Sequence, residues 1–464
     1  MTSDQTRRDA VRAAAASAVP AALADLGALV RIPSIAWPAF DQSQVARSAD
    51  AVAELFRGLG FFDRVEVKSA AVPGTDEHGQ PAVLATRAAR NGRPTVLLYA
   101  HHDVQPPGDE ALWDSPPFEP TVRDGRLYGR GAADDKAGIM AHVGALRALI
   151  EALGDDVDLG VAVFVEGEEE YGSRSFATFL AENADVLRAD VIVVADSGNW
   201  DERTPGLTVS LRGMARVTVG VRTLDHASHS GMFGGAVPDA TMAAVKLLST
   251  LWDEDGAVAV EGLAERDAPT PEYDEAKLRE ESGLLPGVSP IGRGTILSRL
   301  WNKPSITVIG MDVTPVDAAS NTLRPETSVV LSMRVAPGQT ARDAYAALEA
   351  HLRAHAPFGA ELTFSDHDFG DPFLVDTSGW AVADVRAAFA EGYGVDSVDV
   401  GVGGSIPFIA DLVREFPGAQ ILVTGVEDPN ARAHSPNESL HLDTFRHALI
   451  AEALLLESLD ARTV

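Results

Sequence analysis

Over the first ~200 residues, short apolar runs alternate with stretches of helical spacing. TVLLYA (Thr95 to Ala100) stops at His101, GVAVFVE (Gly160 to Glu166) runs into acidic residues, and VIVVAD (Val191 to Asp196) ends on a carboxylate. Between them, AGIMAHVGALRALIEAL (Ala137 to Leu153) has helical periodicity behind Asp134 and Asp135. Near the other end, AQILVTG (Ala419 to Gly425) is a further buried-strand pattern. This alternation predicts an α/β layer with a mainly parallel mixed sheet. The middle reads differently. LTVSLRGMARVTVGVR (Leu207 to Arg222) and SVVLSMRVAP (Ser328 to Pro337) alternate like half-buried strands, with helical patterns at Asp239 to Trp252 and Ala341 to His355. An α+β domain inserted over residues 207–372 is the expectation, splitting the α/β part into 1–206 and 373–464. The charged segment Asp253 to Gly294 reads as surface loop and short helix.

The first 30 residues read as an amphipathic helix, because Asp4, Asp9 and Asp25 interrupt what could pass for a secretory leader. No uninterrupted apolar stretch reaches the ~20 residues of a membrane span. Composition narrows the function classes. The chain has 464 residues, 45% of them hydrophobic and 23% charged, which is globular, and its net charge is −30. That charge repels phosphate backbones and anionic lipid, so neither nucleic acid nor a membrane is the expected partner. There is no cysteine, which excludes disulfides, thiolate metal sites and cysteine nucleophiles, and agrees with a cytoplasmic setting. Nor is there a G-x-S-x-G nucleophile elbow.

Ligand-type side chains cluster where the apolar runs end, the edge at which open α/β sheets bind ligands. They are His101 and Asp103 in YAHHDVQPP, Asp134 in LYGRGAADDKAG, Glu169 and Glu170 in VEGEEEYGS, Asp196 in VVADSGNW, and His434 in GVEDPNARAHSPNES. Imidazoles mixed with carboxylates, without sulfur, suit zinc, manganese or cobalt. Two histidines and three carboxylates are too many for one tetrahedral ion, but they serve two ions if one carboxylate bridges and a water is shared. Each residue also has a structural reading: a loop histidine, a solvated acidic face, a helix cap at Asp134–Asp135, a turn cap at Asp196.

From RIPSIA (Arg31 to Ala36) to AHSPNESL (Ala433 to Leu440), the chain resembles the dinuclear metallopeptidases that include carnosinase-like dipeptidases, succinyl-diaminopimelate desuccinylase and aminoacylase. YAHHDVQPP, LYGRGAADDKAG and EGEEEYGS are most similar to the dipeptidase branch. The resemblance implies a zinc-peptidase-like α/β catalytic domain with an inserted α+β lid that also dimerises. It implies that His101 and Asp196 bind one ion, Glu170 and His434 the other, and that Asp134 bridges. Asp103 would accept a hydrogen bond from the His101 ring and fix its tautomer, and Glu169 would be the general base acting on the bridging water. The register Glu168–Glu169 fits the spacing equally. The peptide bond after the bridging aspartate is cis in this family, here Asp134–Asp135. His102 stands where a neutral residue is expected, leaving a third imidazole ligand open. Glu168 adds negative charge beside the base.

On the substrate side, the resemblance implies that His229 in DHASHSGMFGG reaches into the neighbouring subunit of a homodimer and stabilises the oxyanion; without it, His229 reads as part of a polar turn. Arg334 in LSMRVAP lies on an otherwise apolar run where a guanidinium needs an anionic partner, either a structural carboxylate or the substrate's terminal one. Asn321 and the Gly404–Ser405 loop of GVGGSIPF would assist Arg334. The expected activity is metal-dependent hydrolysis of dipeptides or short peptides with a free carboxylate end. N-acyl amino acid deacylation or desuccinylation is the alternative, and a catalytically silent metal-stabilised binding protein a further one.

Overall fold

The computed structural model describes residues 3–403 and 407–463. The chain forms two units, one of Met1–Val209, Val375–Asp399 and Asp411–Val464, the other of Ser210–Leu374 and Val400–Ala410. The inserted segment thus runs slightly later than the sequence reading drew it. Residues 400–410, which that reading gave to the α/β part, group with the second unit. Two bonds fasten them there: the Arg212 backbone N–H donates to the Val402 carbonyl, and the Arg212 guanidinium donates to the Gly403 carbonyl.

In the first unit the strands lie in the order Arg64–Lys68, Ala82–Arg87, Gly160–Glu166, Thr95–His101, Val191–Val194 and Gln420–Val423. The last four are mutually parallel and the first two antiparallel, a mixed sheet. Val, Ile, Leu and Phe fill the parallel strands because both faces are covered, and Gly160–Glu166 is buried along its whole length. Parallel register aligns the carboxyl ends: His101 lies beside Glu166, and Tyr99 beside Val194. The loops after three neighbouring strands therefore open at one sheet edge.

The helices Ser3–Val30, Lys136–Leu153 and Leu442–Ala461 pack together. The first buries Val11, Ala15, Ala22, Leu26 and Leu29, a stripe at helical spacing. Two helical stretches, Gln5–Val30 and Lys136–Asp156, are long and apolar enough to cross a bilayer, although charged residues such as Asp25 and Arg147 interrupt both. Both are half or more buried against protein in this unit.

The second unit is built on an antiparallel sheet in the order Ser305–Met311, Glu326–Val335, Gly213–Arg222, Glu361–Gly370. Alternation holds: Val217, Val219, Val221, Val329, Leu331 and Met333 face the helices Ala240–Leu248 and Ala341–Ala354 in one core. Arg334 and its register partner Met214 are on the opposite face, half-buried. The run from Leu207 to Arg222, which reads as one pattern, breaks at Arg212 into the strands Gly206–Leu211 and Gly213–Arg222. Close approach explains the break. A Cβ on Gly213 would lie 2.6 Å from the Gly370 carbonyl oxygen, so only glycine fits.

Candidate metal centre

His101 ends its strand with a ring that is 0% exposed. Its Nδ1 lies 3.1 Å from the Asp103 carbonyl, which fixes the N–H there and turns Nε2 toward Asp134 Oδ1 at 3.0 Å and Asp196 Oδ1 at 3.9 Å. From the other side, His434 Nε2 approaches Asp134 Oδ2 at 3.0 Å and Glu170 Oε2 at 3.1 Å. Two donor groups result, His101–Asp134–Asp196 and Asp134–Glu170–His434, each with its ligand atoms within 4.8 Å of one another. They share Asp134, which turns one oxygen to each. Imidazole nitrogens and carboxylate oxygens in two groups with a common carboxylate fit a pair of divalent ions.

Glu169 belongs to neither group. Asp103, fully buried, accepts the backbone N–H of Glu169 at 3.0 Å and of Glu170 at 3.1 Å, so it fixes the free carboxylate and the ligand carboxylate together. The His101 ring has the Asp103 main-chain carbonyl as its nearer partner; the carboxylate oxygen is 3.5 Å away because it turns toward those two N–H groups. Crowded, buried acids resist ionising. Burial above all, with the charges of Asp134 and Glu170, pushes Asp196 up to about 7 against the pull of His101. Burial followed by Asp196 holds Glu169 well above the usual carboxylate range. Hydrogen bonds that His434 donates to Asp134 and Glu170 push its pKa up to about 11. Cations bound in the two groups would offset this surplus of negative charge.

Several readings of the motifs are decided by their neighbours. Glu168, 2% exposed, accepts the N–H of Gln80 at 3.1 Å and both the N–H and Oγ–H of Ser175 at 2.6 Å. It pins a loop and the start of the helix Phe176–Leu187, so the register Glu168–Glu169 does not supply the donor groups. His102 points away from both groups, its Nε2 2.8 Å from the Pro81 carbonyl, and burial lowers its pKa to about 4. It is no third imidazole ligand. The peptide bond Asp134–Asp135 is cis. Asp135 does not cap the following helix; its Oδ2 accepts the His101 N–H at 3.2 Å.

Other residues of the centre were not singled out from the sequence. Glu438 is fully buried and accepts the N–H groups of Gly131, Ala133 and Asp134 as well as Nη1 of Arg130 at 2.6 Å. It shapes the turn that presents Asp134. Gly131 sits in that turn at φ +79°, a conformation glycine adopts freely. Gln105 donates to Glu170 Oε2 at 2.7 Å, and half-buried Glu427 feels the charges of Asp134 and Asp196. Gln105 and Glu438 stand inside the quoted motifs, four residues after His101 and four after His434, which was the available signal.

In the second unit, His229 pairs with Thr322 across a two-stranded ribbon, and the Ser230 N–H donates to the Asn321 carbonyl. His229 and Asn321 are therefore neighbours, both exposed. His229 Nδ1 accepts the Gly231 N–H at 3.1 Å, which leaves the ring proton on an uncommitted Nε2. Arg334 has no ion pair or side-chain hydrogen bond among the described residues, so the structural-carboxylate reading has no support. Gly404 and Ser405 lie outside the described residues.

The chain is similar over most of its length to known dipeptidases. A cysteinylglycine-S-conjugate dipeptidase of Corynebacterium striatum is 37% identical over 370 residues, covering 78% of this chain and 80% of that protein. A Cys-Gly metallodipeptidase of Schizosaccharomyces pombe is 27% identical over 438 residues, covering 90% and 91%. The solved structure of human carnosine dipeptidase 1 shares the fold, with a TM-score of 0.77 at 22% identity over 98% of this chain and 99% of that one. The sequence model of peptidase family M20/M25/M40 matches residues 97–458, so the chain belongs to that family of metal-dependent hydrolases.

Proposed function

We propose that this enzyme hydrolyses dipeptides and short peptides with a free carboxylate end, with two divalent ions and Glu169 as general base. The observation that carries the reading is a single carboxylate, Asp134, facing two donor groups, with the adjacent Glu169 outside both. His101, Asp134 and Asp196 would hold one ion, and Asp134, Glu170 and His434 the other; zinc suits this set best, with manganese or cobalt able to substitute. Such a pair, when bound, lowers the pKa of water and polarises a carbonyl.

Glu169 takes the proton of the attacking water. Its carboxyl lies outside both donor groups, which leaves it able to accept that proton. The C–N bond then breaks as Glu169 passes that proton to the departing amine, which is a poor leaving group until protonated. Asp103 holds Glu169 and Glu170 in place through their backbones. The second unit supplies recognition: Arg334 takes the free carboxylate, assisted by Asn321, Gly404 and Ser405. His229 donates a hydrogen bond from Nε2–H to the oxyanion. A homodimer in which His229 serves the neighbouring subunit, working in the cytoplasm, completes the reading. The dipeptidase relatives support small peptides as substrates.

Purified protein loaded with zinc, manganese or cobalt tests this with unblocked dipeptides against N-acyl amino acids. Hydrolysis of the dipeptides is expected, and Glu169→Gln is expected to cut kcat by roughly 10²- to 10⁴-fold with metal content unchanged. Turnover of the N-acyl amino acids alone would make it a deacylase; turnover of neither would leave a binding protein.

A further inference from the structure

The second unit contains a buried cation without an anion. Arg212 is 8% exposed, and a guanidinium so placed ordinarily has a carboxylate beside it. Among the described residues, every hydrogen bond of the side chain goes to a neutral oxygen. Nε donates to the Gly403 carbonyl at 3.2 Å, and Nη1 donates to the Lys303 carbonyl and Ser305 Oγ at 3.3 Å and the Arg299 carbonyl at 3.4 Å. Nη2 has no partner among the described residues. It carries two N–H donors.

The register places a second unpaired cation next to it. Ser305, which Arg212 bonds, lies directly opposite Arg334 on the neighbouring strand. Opposed residues of an antiparallel pair have Cβ atoms about 5 Å apart and point to the same face. Arg212 and Arg334 thus both neighbour one serine, and neither has an ion pair among the described residues. Arg212 also lines a cavity of about 460 Å³ whose walls include Trp252, Val288, Leu300 and Ile306. That is room for a residue-sized group against largely apolar walls, with Glu265, Arg293, Arg299 and Lys303 among the other lining residues. A buried guanidinium anchored by neutral oxygens, beside a second one without a counterion, is costly unless an anion arrives.

We propose that Arg212 is a specificity-determining residue, its free Nη2 joining Arg334 around Ser305 to form a two-guanidinium receptor for the carboxylate of a substrate's C-terminal residue. The proposal deepens the peptidase reading and rests on it for the identity of the ligand. No bond is made or broken at this receptor; it selects and orients. Nε and Nη1 hold the fork rigid, so little side-chain entropy is lost on binding.

Calorimetric titration of the ion-loaded Glu169→Gln protein with L-alanyl-L-leucine and L-alanyl-L-leucinamide tests it without needing turnover. The acid is expected to bind more tightly than the amide. Adding Arg212→Gln should weaken the acid by roughly 10- to 100-fold, the value of one charge-assisted hydrogen bond, and leave the amide unchanged. Arg212→Lys, which retains the charge without the fork, should recover part of the loss and serves alone if the glutamine variant fails to fold. With Glu169 intact, the same substitutions should raise KM for the acid and spare kcat. Equal weakening of acid and amide would mark Arg212 as structural only and overturn the proposal. So would an unchanged acid affinity, or no preference for the acid while Arg212 is present. Failure of the wild-type protein to hydrolyse any dipeptide would instead overturn the peptidase reading, and the binding comparison would still decide the role of Arg212.

Discussion

Arg130 in the first unit is 1% exposed and gives Nη1 to Glu438 at 2.6 Å; Arg212 in the second is 8% exposed and gives its donors to carbonyls and one hydroxyl. Arg130 is neutralised within the fold, and through Glu438 it helps build the turn that presents Asp134. Arg212 is positioned by the fold but not neutralised. A buried charge that already has its counterion is architecture, and one held rigid without a counterion is poised for a ligand. The same contrast runs through the carboxylates. Glu168 has its bonds satisfied by Gln80 and Ser175, whereas Glu169 next to it is fixed through its backbone and left free at its carboxyl.

Metal removal breaks the comparison most severely, because the acids of the first unit then lose the cations that balance them. Dialysis against a chelator should reduce peptide hydrolysis by roughly 10³-fold or more and lower the unfolding temperature; adding zinc, manganese or cobalt should restore both. Activity that survives complete chelation, verified by elemental analysis, would remove the metal centre from the mechanism.

Substituting the two arginines separates their roles. Arg130→Met leaves Glu438 buried without its cation and should cost about 3–5 kcal/mol of stability. Arg212→Gln leaves only neutral oxygens behind and should cost about 1 kcal/mol. Denaturant unfolding measures both. Equal losses would show that Arg212 is as much a part of the architecture as Arg130.

The smallest effect concerns a titratable pair in the first unit. His142 places Nδ1 2.6 Å from Glu452 and Nε2 3.0 Å from the Tyr99 carbonyl, so both ring nitrogens face acceptors. Burial disfavours the imidazolium, but Glu452 and the carbonyl outweigh it and the pKa is raised above 6.5. The pair's stabilisation is therefore complete below the unfolded-state value and fades as pH rises through the higher folded one. Unfolding free energy should decline across that window in the parent protein and decline less in Glu452→Gln. An identical pH slope in the two would assign the dependence to other groups.

Much of this molecule is legible in one dimension. Gly160 to Glu166 reads as a buried strand and is one, because six apolar or small residues in a row, closed by a glutamate, have few other uses. The ligand-type residues are recognisable because they follow such runs or, for Asp134, stand just before a helix. Helix Lys136–Leu153 begins where the carboxylates end, but Asp135 bonds the His101 N–H rather than capping it. The break at Arg212 was hidden because residues on both sides alternate alike, and the crowding that causes it comes from Gly370, far along the chain.

The chain by itself determined its α/β strand pattern, its family motifs and the chemical type of its donors, since these depend on side chains close in sequence. Tertiary structure decided which of three consecutive glutamates is anchored, free or facing a second donor group, and which of two adjacent histidines faces Asp134. It also decided which buried arginine already has its counterion. Each of those outcomes turns on a hydrogen-bond partner dozens to hundreds of residues away. Identical side chains differ only in what the fold brings within three ångströms of them.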